Sequence, residues 1–257
     1  MPANQFFIAY DGNKYQETKK YLNLNDYLKY DTIIEPYGGT YGFSRAIYEL
    51  DNTKKFIIYD NDERLINLYN SLKSMTSDEF SEYINEYNEI MDDLQWRVSP
   101  ESRYIDKGKF EQMITKYPKF EDLIFYNIKK GKFSAAIRRT NCGLFHQMMA
   151  NCTFIHQSIN DVNYDDIDLN KTLIYLDPPY IMSCNTQYFD SGVDHTQTIH
   201  KLFTTIKKAN CMFVHSYHFL LDCVFDGKNN AVKSMSYEKK YTLSKKLITH
   251  DVFEKAE

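Results

Sequence analysis

Short apolar runs rich in β-branched and aromatic residues recur along the chain, separated by longer segments with helical spacing. The runs TIIEP (32–36), KFIIY (55–59), TFIHQS (153–158), TLIYL (172–176) and CMFVHS (211–216) each have the length and composition of a strand buried on both faces. Between them, GFSRAIYEL (42–50), DERLINLYNSLKSM (62–75) and HTQTIHKLFTTIKKA (195–209) repeat their apolar positions every three to four residues. Strands alternating with helices predict a parallel, doubly wound α/β sheet. The tail from Ala231 to Phe253 predicts two further strands joined at EKK, a hairpin able to add an antiparallel strand at the sheet edge.

One stretch interrupts the alternation. Residues 76–140 are polar, charged and rich in Tyr, with helical patterns at 78–93 and 109–125 and no strand. An inserted, mainly helical lobe is predicted there, dividing a main domain of residues 1–75 and 141–257.

Three segments carry candidate chemistry. IIEPYGGTYGFS (33–44) leads from the first strand into a helix, and Gly38, Gly39 and Gly42 would let the backbone turn sharply and approach a ligand. The bland alternative is a tight connection alone, and neither GxGxxG nor GxxxxGK[ST] is present. In KFIIYDNDERLINLYN (55–70), Asp60 ends a strand 21 positions after Gly39, where α/β folds place an acid for ribose hydroxyls. The competing role is a helix N-cap, which Asp60 and Asp62 could divide between them.

The third segment is TLIYLDPPY (172–180), an apolar run that stops at Asp177, Pro178, Pro179 and Tyr180. Two prolines fix φ and remove two amide donors, so the loop is stiff and its carbonyls stay available. The Asp177 carboxylate and the Pro178 carbonyl would converge as acceptors beside the flat ring of Tyr180. That set suits a planar base bearing an exocyclic amine; a rigid turn with a surface Tyr is the plainer reading.

EPYGGTYGFS, DNDERLINLYN and DPPY, in this order, resemble the Dam-like, alpha-group family of DNA adenine-N6 methyltransferases. QFFIAYDGNKYQETKKYL is similar to that family's opening motif through Tyr10, Gly12 and Lys14, and YFDSGVDHTQTIHKLF, MFVHSYH and SKKLITH resemble later segments. The resemblance spans most of the chain except 76–125. It implies a Rossmann-like sheet binding S-adenosylmethionine at the carboxyl ends of its strands, with a target-recognition domain inserted over 76–140. It further implies cofactor contacts at Tyr10, Lys14, Glu35, Pro36, Gly38, Gly39, Asp60 and Asp177, and a target adenine held by Asp177, Pro178, Pro179 and Tyr180. The expected activity is site-specific methylation of adenine N6 in double-stranded DNA. The enzyme would act as a monomer or weak dimer, with a restriction endonuclease as a candidate companion. The same chemistry on RNA or on cytosine N4, or a methyltransferase-like protein that binds without turnover, remain alternatives. The turn GGTYG, Tyr10 in place of a common Trp, and Ala9 in place of a base-contacting Lys depart from the family's pattern, so its usual target sequence is not carried over.

Charge adds one candidate and removes others. The net charge of −4 gives no global pull toward nucleic acid. Locally, NIKKGKFSAAIRRTN (127–141) holds Lys129, Lys130, Lys132, Arg138 and Arg139 without an acid, a phosphate-contacting segment or a solvated face. Cys142, Cys152, Cys184, Cys211 and Cys223 form no CxxC pair and are expected to be reduced thiols. His195, His200, His215 and His218 do not have ligand spacing, and no metal site is expected. No apolar run approaches a membrane span and the first residues do not read as a signal peptide, so a cytosolic protein, or a nuclear one in a host with a nucleus, is expected.

Overall fold

The computed structural model describes residues 8, 13–93, 107–130, 142–178, 197, 200, 201, 204, 205, 212–216, 231–240 and 247–255. These form two compact units: Tyr15–Asp62 with Thr153–Glu257, and Met1–Lys14 with Glu63–Cys152.

The first unit is built on a seven-stranded sheet. Its strands are β1 (Thr32–Glu35), β2 (Lys55–Asp60), β3 (Cys152–His156), β4 (Thr172–Leu176), β5 (Met212–Ser216), β6 (Ala231–Lys240) and β7 (Leu247–Lys255). Their order across the sheet is β3-β2-β1-β4-β5-β7-β6. β2, β1, β4 and β5 pair in parallel, whereas β7 runs antiparallel to β5 and β6 pairs antiparallel outside it. This is a Rossmann-like, doubly wound α/β sheet, with the strand order reversing between β1 and β4. The predicted strands at 32–36, 55–59, 153–158, 172–176 and 211–216 all form, within two residues at either end. The tail hairpin forms too, but Glu238, Lys239 and Lys240 lie within β6 rather than in the turn. Their side chains suit an edge strand, where charge costs nothing and discourages stray pairing. The strand also carries a register irregularity between Lys233 and Met235.

Alternation along the strands divides the core between two faces. Ile33, Phe56, Ile58, Leu173 and Tyr175 share one face, where helix α2 (Gly42–Tyr48) packs and Phe43 stacks on Tyr175 with centroids 4.2 Å apart. Ile34, Ile174 and Leu176 face the opposite side, covered by Ile159, Val162 and Tyr164 from the connection between β3 and β4. Both faces are dry, which explains strands that read as unbroken apolar runs. Helix α1 (Tyr15–Tyr21) lies on α2, with the Tyr15 hydroxyl 2.6 and 2.7 Å from the Glu49 carboxylate oxygens.

The second unit is helical in its described residues, consisting of α3 (Glu63–Ser74), α4 (Ser77–Asp93), α5 (Lys107–Lys116), α6 (Glu121–Ile124) and α7 (Cys142–Met149). A single-turn π-helical stretch, Phe125–Lys130, continues α6. Phe80, Tyr83, Ile84 and Tyr87 recur at helical spacing on α4 and are buried, while Asp78, Glu79, Glu82 and Glu89 on the other face are exposed. Phe80 stacks on His146 of α7, and Tyr83 and Tyr87 meet Phe120. Arg64 ties α3 to α6 by reaching Asp122 at 2.5 Å and Glu121 at 2.7 Å, its guanidinium lying over the Phe125 ring. The helical patterns predicted at 78–93 and 109–125 correspond to α4 and to the run from α5 through α6.

Candidate active site at the strand switch point

β1 and β2 each finish in an acid, Glu35 and Asp60, and Asp177 directly follows the last residue of β4. Register places Glu35, the last residue of β1, beside Ile58 of β2. It aligns Ile33 of β1 with Leu173 of β4. Residues at i and i+2 share a face. Glu35 and Asp60 therefore follow Ile33 and Ile58 on the α2 side of the sheet, and Asp177 comes directly after β4, the strand next to β1. Acids thus end or directly follow β2, β1 and β4 at the point where strand order reverses, the place in open α/β sheets where ligands bind.

The turn between β1 and α2 is shaped for close backbone approach. Gly38 donates its N–H to the Tyr59 carbonyl at 2.8 Å, pinning the turn onto β2. A Cβ at Gly38 would come within 2.4 Å of the Ile58 Cγ2 and 2.8 Å of the Tyr59 oxygen, so no side chain fits. Gly39 has φ 46°, a left-handed conformation natural to glycine. Tyr41, with φ 39°, adopts the same region despite its bulk and is fully buried. A strained residue of this kind persists only where its surroundings hold it. Here they do so through the Phe154 ring and through the Tyr41 amide, which bonds to the Gly38 carbonyl at 2.6 Å.

Asp60 serves the loops on either side. One carboxylate oxygen accepts the Gly39 N–H at 2.7 Å and the other accepts the Asp62 N–H at 2.9 Å. One carboxylate therefore holds the glycine turn and organises the start of the chain leading into α3. Glu35 is 2% exposed and accepts the Ser44 N–H at 2.7 Å, in the first turn of α2. The helix N-cap, Tyr41, makes no side-chain cap bond, so Glu35 supplies the acceptor from the neighbouring strand. Ser44 was not singled out by the sequence; its only signal was its place in the first turn of a helix that follows a strand-ending acid. Burial pushes the Glu35 carboxyl up to about 8, opposed by hydrogen bonding from Ser44 and reinforced by the charge of Asp177.

The structure brings Glu35, Pro36, Gly38, Gly39, Asp60, Asp177 and Pro178 together at one sheet edge. Pro36 and Pro178 are buried and Asp177 is partly exposed. Lys14 is buried at the end of the other unit's first segment. Tyr10, Pro179, Tyr180, Lys132, Arg138 and Arg139 lie outside the described residues, as do the side chains of Lys129 and Lys130 at the end of the π-helical stretch. Of the cysteines, Cys152 is a buried thiol whose Sγ donates to the Met148 carbonyl at 3.4 Å. Among the described residues no group of three or more His, Cys, Asp or Glu could hold a metal ion, and no helix is long and apolar enough to cross a membrane.

No family model and no curated protein matches the sequence. Among solved structures the chain is similar to a Haemophilus influenzae protein solved under the description of a methylase. That likeness has 12% identity and a TM-score of 0.34, over 91% of this chain and 84% of that one. It is also similar to precorrin-6y C5,15-methyltransferase from Geobacter metallireducens, at 8% identity and a TM-score of 0.37, over 99% of this chain and 100% of the other. Likenesses this distant decide nothing about activity, and the fold assignment rests on strand order and pairing.

Proposed function

We propose that the protein is an S-adenosylmethionine-dependent methyltransferase acting on adenine N6 in double-stranded DNA. The observation that carries the reading is the set of acids at the ends of neighbouring strands, Asp60, Glu35 and, just after β4, Asp177, with a turn that excludes any side chain at Gly38. A site with negative charge, a sterically bare turn and a position at the strand switch suits a ligand that is cationic, bears ribose hydroxyls and must lie against backbone. The cofactor fits these residues: Asp60 would meet its ribose, and Gly38 and Gly39 would leave room for its amino-acid portion. When bound, it supplies a methyl group made electrophilic by a sulfonium.

The chain's own task is then to present a nucleophile. The adenine amine is a weak one, because its lone pair is delocalised into the ring. Asp177 and the Pro178 carbonyl would accept its two N–H bonds, favouring a pyramidal nitrogen with the lone pair free. Pro178 and Pro179 would keep that acceptor pair stiff, and Tyr180 would stack on the base. The surplus proton of the methylated amine leaves through Asp177 to solvent. A base within a duplex cannot reach this loop, so it must be flipped out at a cost of a few kcal/mol. Lys129, Lys130, Lys132, Arg138 and Arg139 would contact DNA phosphates.

The test is to incubate the purified protein with methyl-labelled S-adenosylmethionine and mixed-sequence duplex DNA, then identify the labelled nucleoside by mass spectrometry. N6-methyladenine is the expected product. Label found only in N4-methylcytosine or only in RNA would redirect the chemistry, and no label with intact cofactor binding would leave a binding protein.

A further inference from the structure

The acids of the candidate site stand on a common foundation. Ile34, Tyr59 and Leu176, the residues directly before Glu35, Asp60 and Asp177, belong to one buried cluster. Ile159, Val162 and Tyr164, from the connection between β3 and β4, close that cluster from outside. The start of the connection also touches β2, because the Gln157 amide donates to the Asp60 carbonyl at 2.9 Å.

The connection is in turn gripped by residues that come after Asp177 and Pro178 in the chain. Gln197, His200, Lys201, Thr204 and Thr205 are helical and recur at the spacing of one helix face. The Asn160 side-chain amide donates to the Gln197 Oε1 at 3.3 Å. Four residues on, the Lys201 ammonium donates to the Val162 carbonyl at 2.8 Å and lies 5.9 Å from the centre of the Tyr164 ring, within range of a cation–π contact. Four residues further, Thr205 is buried. The described partners of Lys201 are therefore a carbonyl and a ring, not a carboxylate. Burial raises the Tyr164 phenol and keeps it neutral. Its buried hydroxyl has no hydrogen-bond partner among the described residues, so the ring carries the contact.

We propose that Lys201 is a positioning residue, a clasp that holds Val162 and Tyr164 against Leu176 and so fixes the height at which Asp177 and Pro178 leave β4. A close-packed core transmits strain, and a shift of the connection reaches Leu176 and the residue after it. This deepens the methyltransferase reading and rests on it for what Asp177 does, while the clasp itself stands on the contacts of Lys201 with Val162 and Tyr164.

Two variants test it. Lys201→Met keeps an apolar stem over the ring but loses the charge and the donor, and Lys201→Arg keeps both. Thermal midpoint, affinity for S-adenosylmethionine, affinity for duplex DNA, single-turnover methylation rate and the backbone amide resonance of Asp177 are measured for each. Lys201→Met is expected to bind cofactor and DNA as the wild type does, with a shifted Asp177 resonance. Its single-turnover rate should fall at least about tenfold, since misplacing a reacting group by about 1 Å can cost about 100-fold. Lys201→Arg should restore both the resonance and the rate. A wild-type rate or an unmoved Asp177 resonance in Lys201→Met overturns the proposal. So does a loss of DNA affinity that accounts for the lost rate, which would make Lys201 a phosphate contact. Should Lys201→Met not fold, Lys201→Gln is read in the same way. An Asp177 resonance that shifts in Lys201→Met and returns in Lys201→Arg, in a protein that methylates no nucleic acid, supports the clasp and sinks the methyltransferase reading instead.

Discussion

The Gly39 amide donates to an Asp60 carboxylate oxygen across 2.7 Å, binding the turn that follows β1 to the end of β2 although the two residues stand 21 positions apart. The same carboxylate receives the Asp62 amide through its other oxygen. One side chain therefore sets the height of the glycine turn and the exit of the second strand, so any ligand seated on that turn feels its loss.

Asp60→Ala is expected to leave both amides without their acceptor, costing about 1–3 kcal/mol for each that water does not reach. Cofactor affinity should fall by at least about tenfold, because the turn and the ribose acceptor are lost together. Calorimetric titration with S-adenosylmethionine and thermal unfolding separate the two effects. Wild-type affinity in a folded variant would exclude Asp60 from the cofactor site.

Gly38→Ala tests the close approach of turn and strand. Its new methyl group meets the Tyr59 carbonyl, which is backbone and cannot rotate away, as well as Ile58. We expect a loss of about 1–3 kcal/mol, the range for overpacking a tight interior. Denaturant unfolding measures it directly; a variant as stable as the parent would mean that the turn has slack.

Asp177→Ala should abolish methyl transfer, by at least about 100-fold as for loss of one preorganised polar contact in other active sites. The residue is partly exposed and lies beyond the end of β4, so the circular dichroism spectrum should be unchanged. Residual wild-type turnover in this variant would refute the assigned role.

Alanine replacement of Lys129, Lys130, Lys132, Arg138 and Arg139 should weaken DNA binding uniformly across sequences. The slope of log affinity against log salt should shrink by about 0.9 for each phosphate contact removed. Fluorescence anisotropy at several salt concentrations reads this; an unchanged slope would make the segment a solvated face.

Much of the sheet is legible in the sequence, because strands buried on both faces must be apolar at nearly every position. That is why 172–176 and 32–35 were recognisable to within a residue. The boundary of the last hairpin was not legible, since charged residues are tolerated in an edge strand and imitate a turn: Glu238, Lys239 and Lys240 read as connection but pair with Thr249, Ile248 and Leu247. At the site, the residue types were visible and their partners were not. Glu35 reads as one more acid in a glycine-rich motif, and only packing reveals that it caps α2 through Ser44.

The sequence by itself determined where the buried strands run and that Asp177 and two prolines follow the fourth of them, because periodicity and residue order are local properties. Only tertiary structure decided that Asp60, Glu35 and Asp177 come at the ends of neighbouring strands, for that depends on strand order and register. Both are set by long-range hydrogen bonding and by the burial of two sheet faces, which no local pattern encodes.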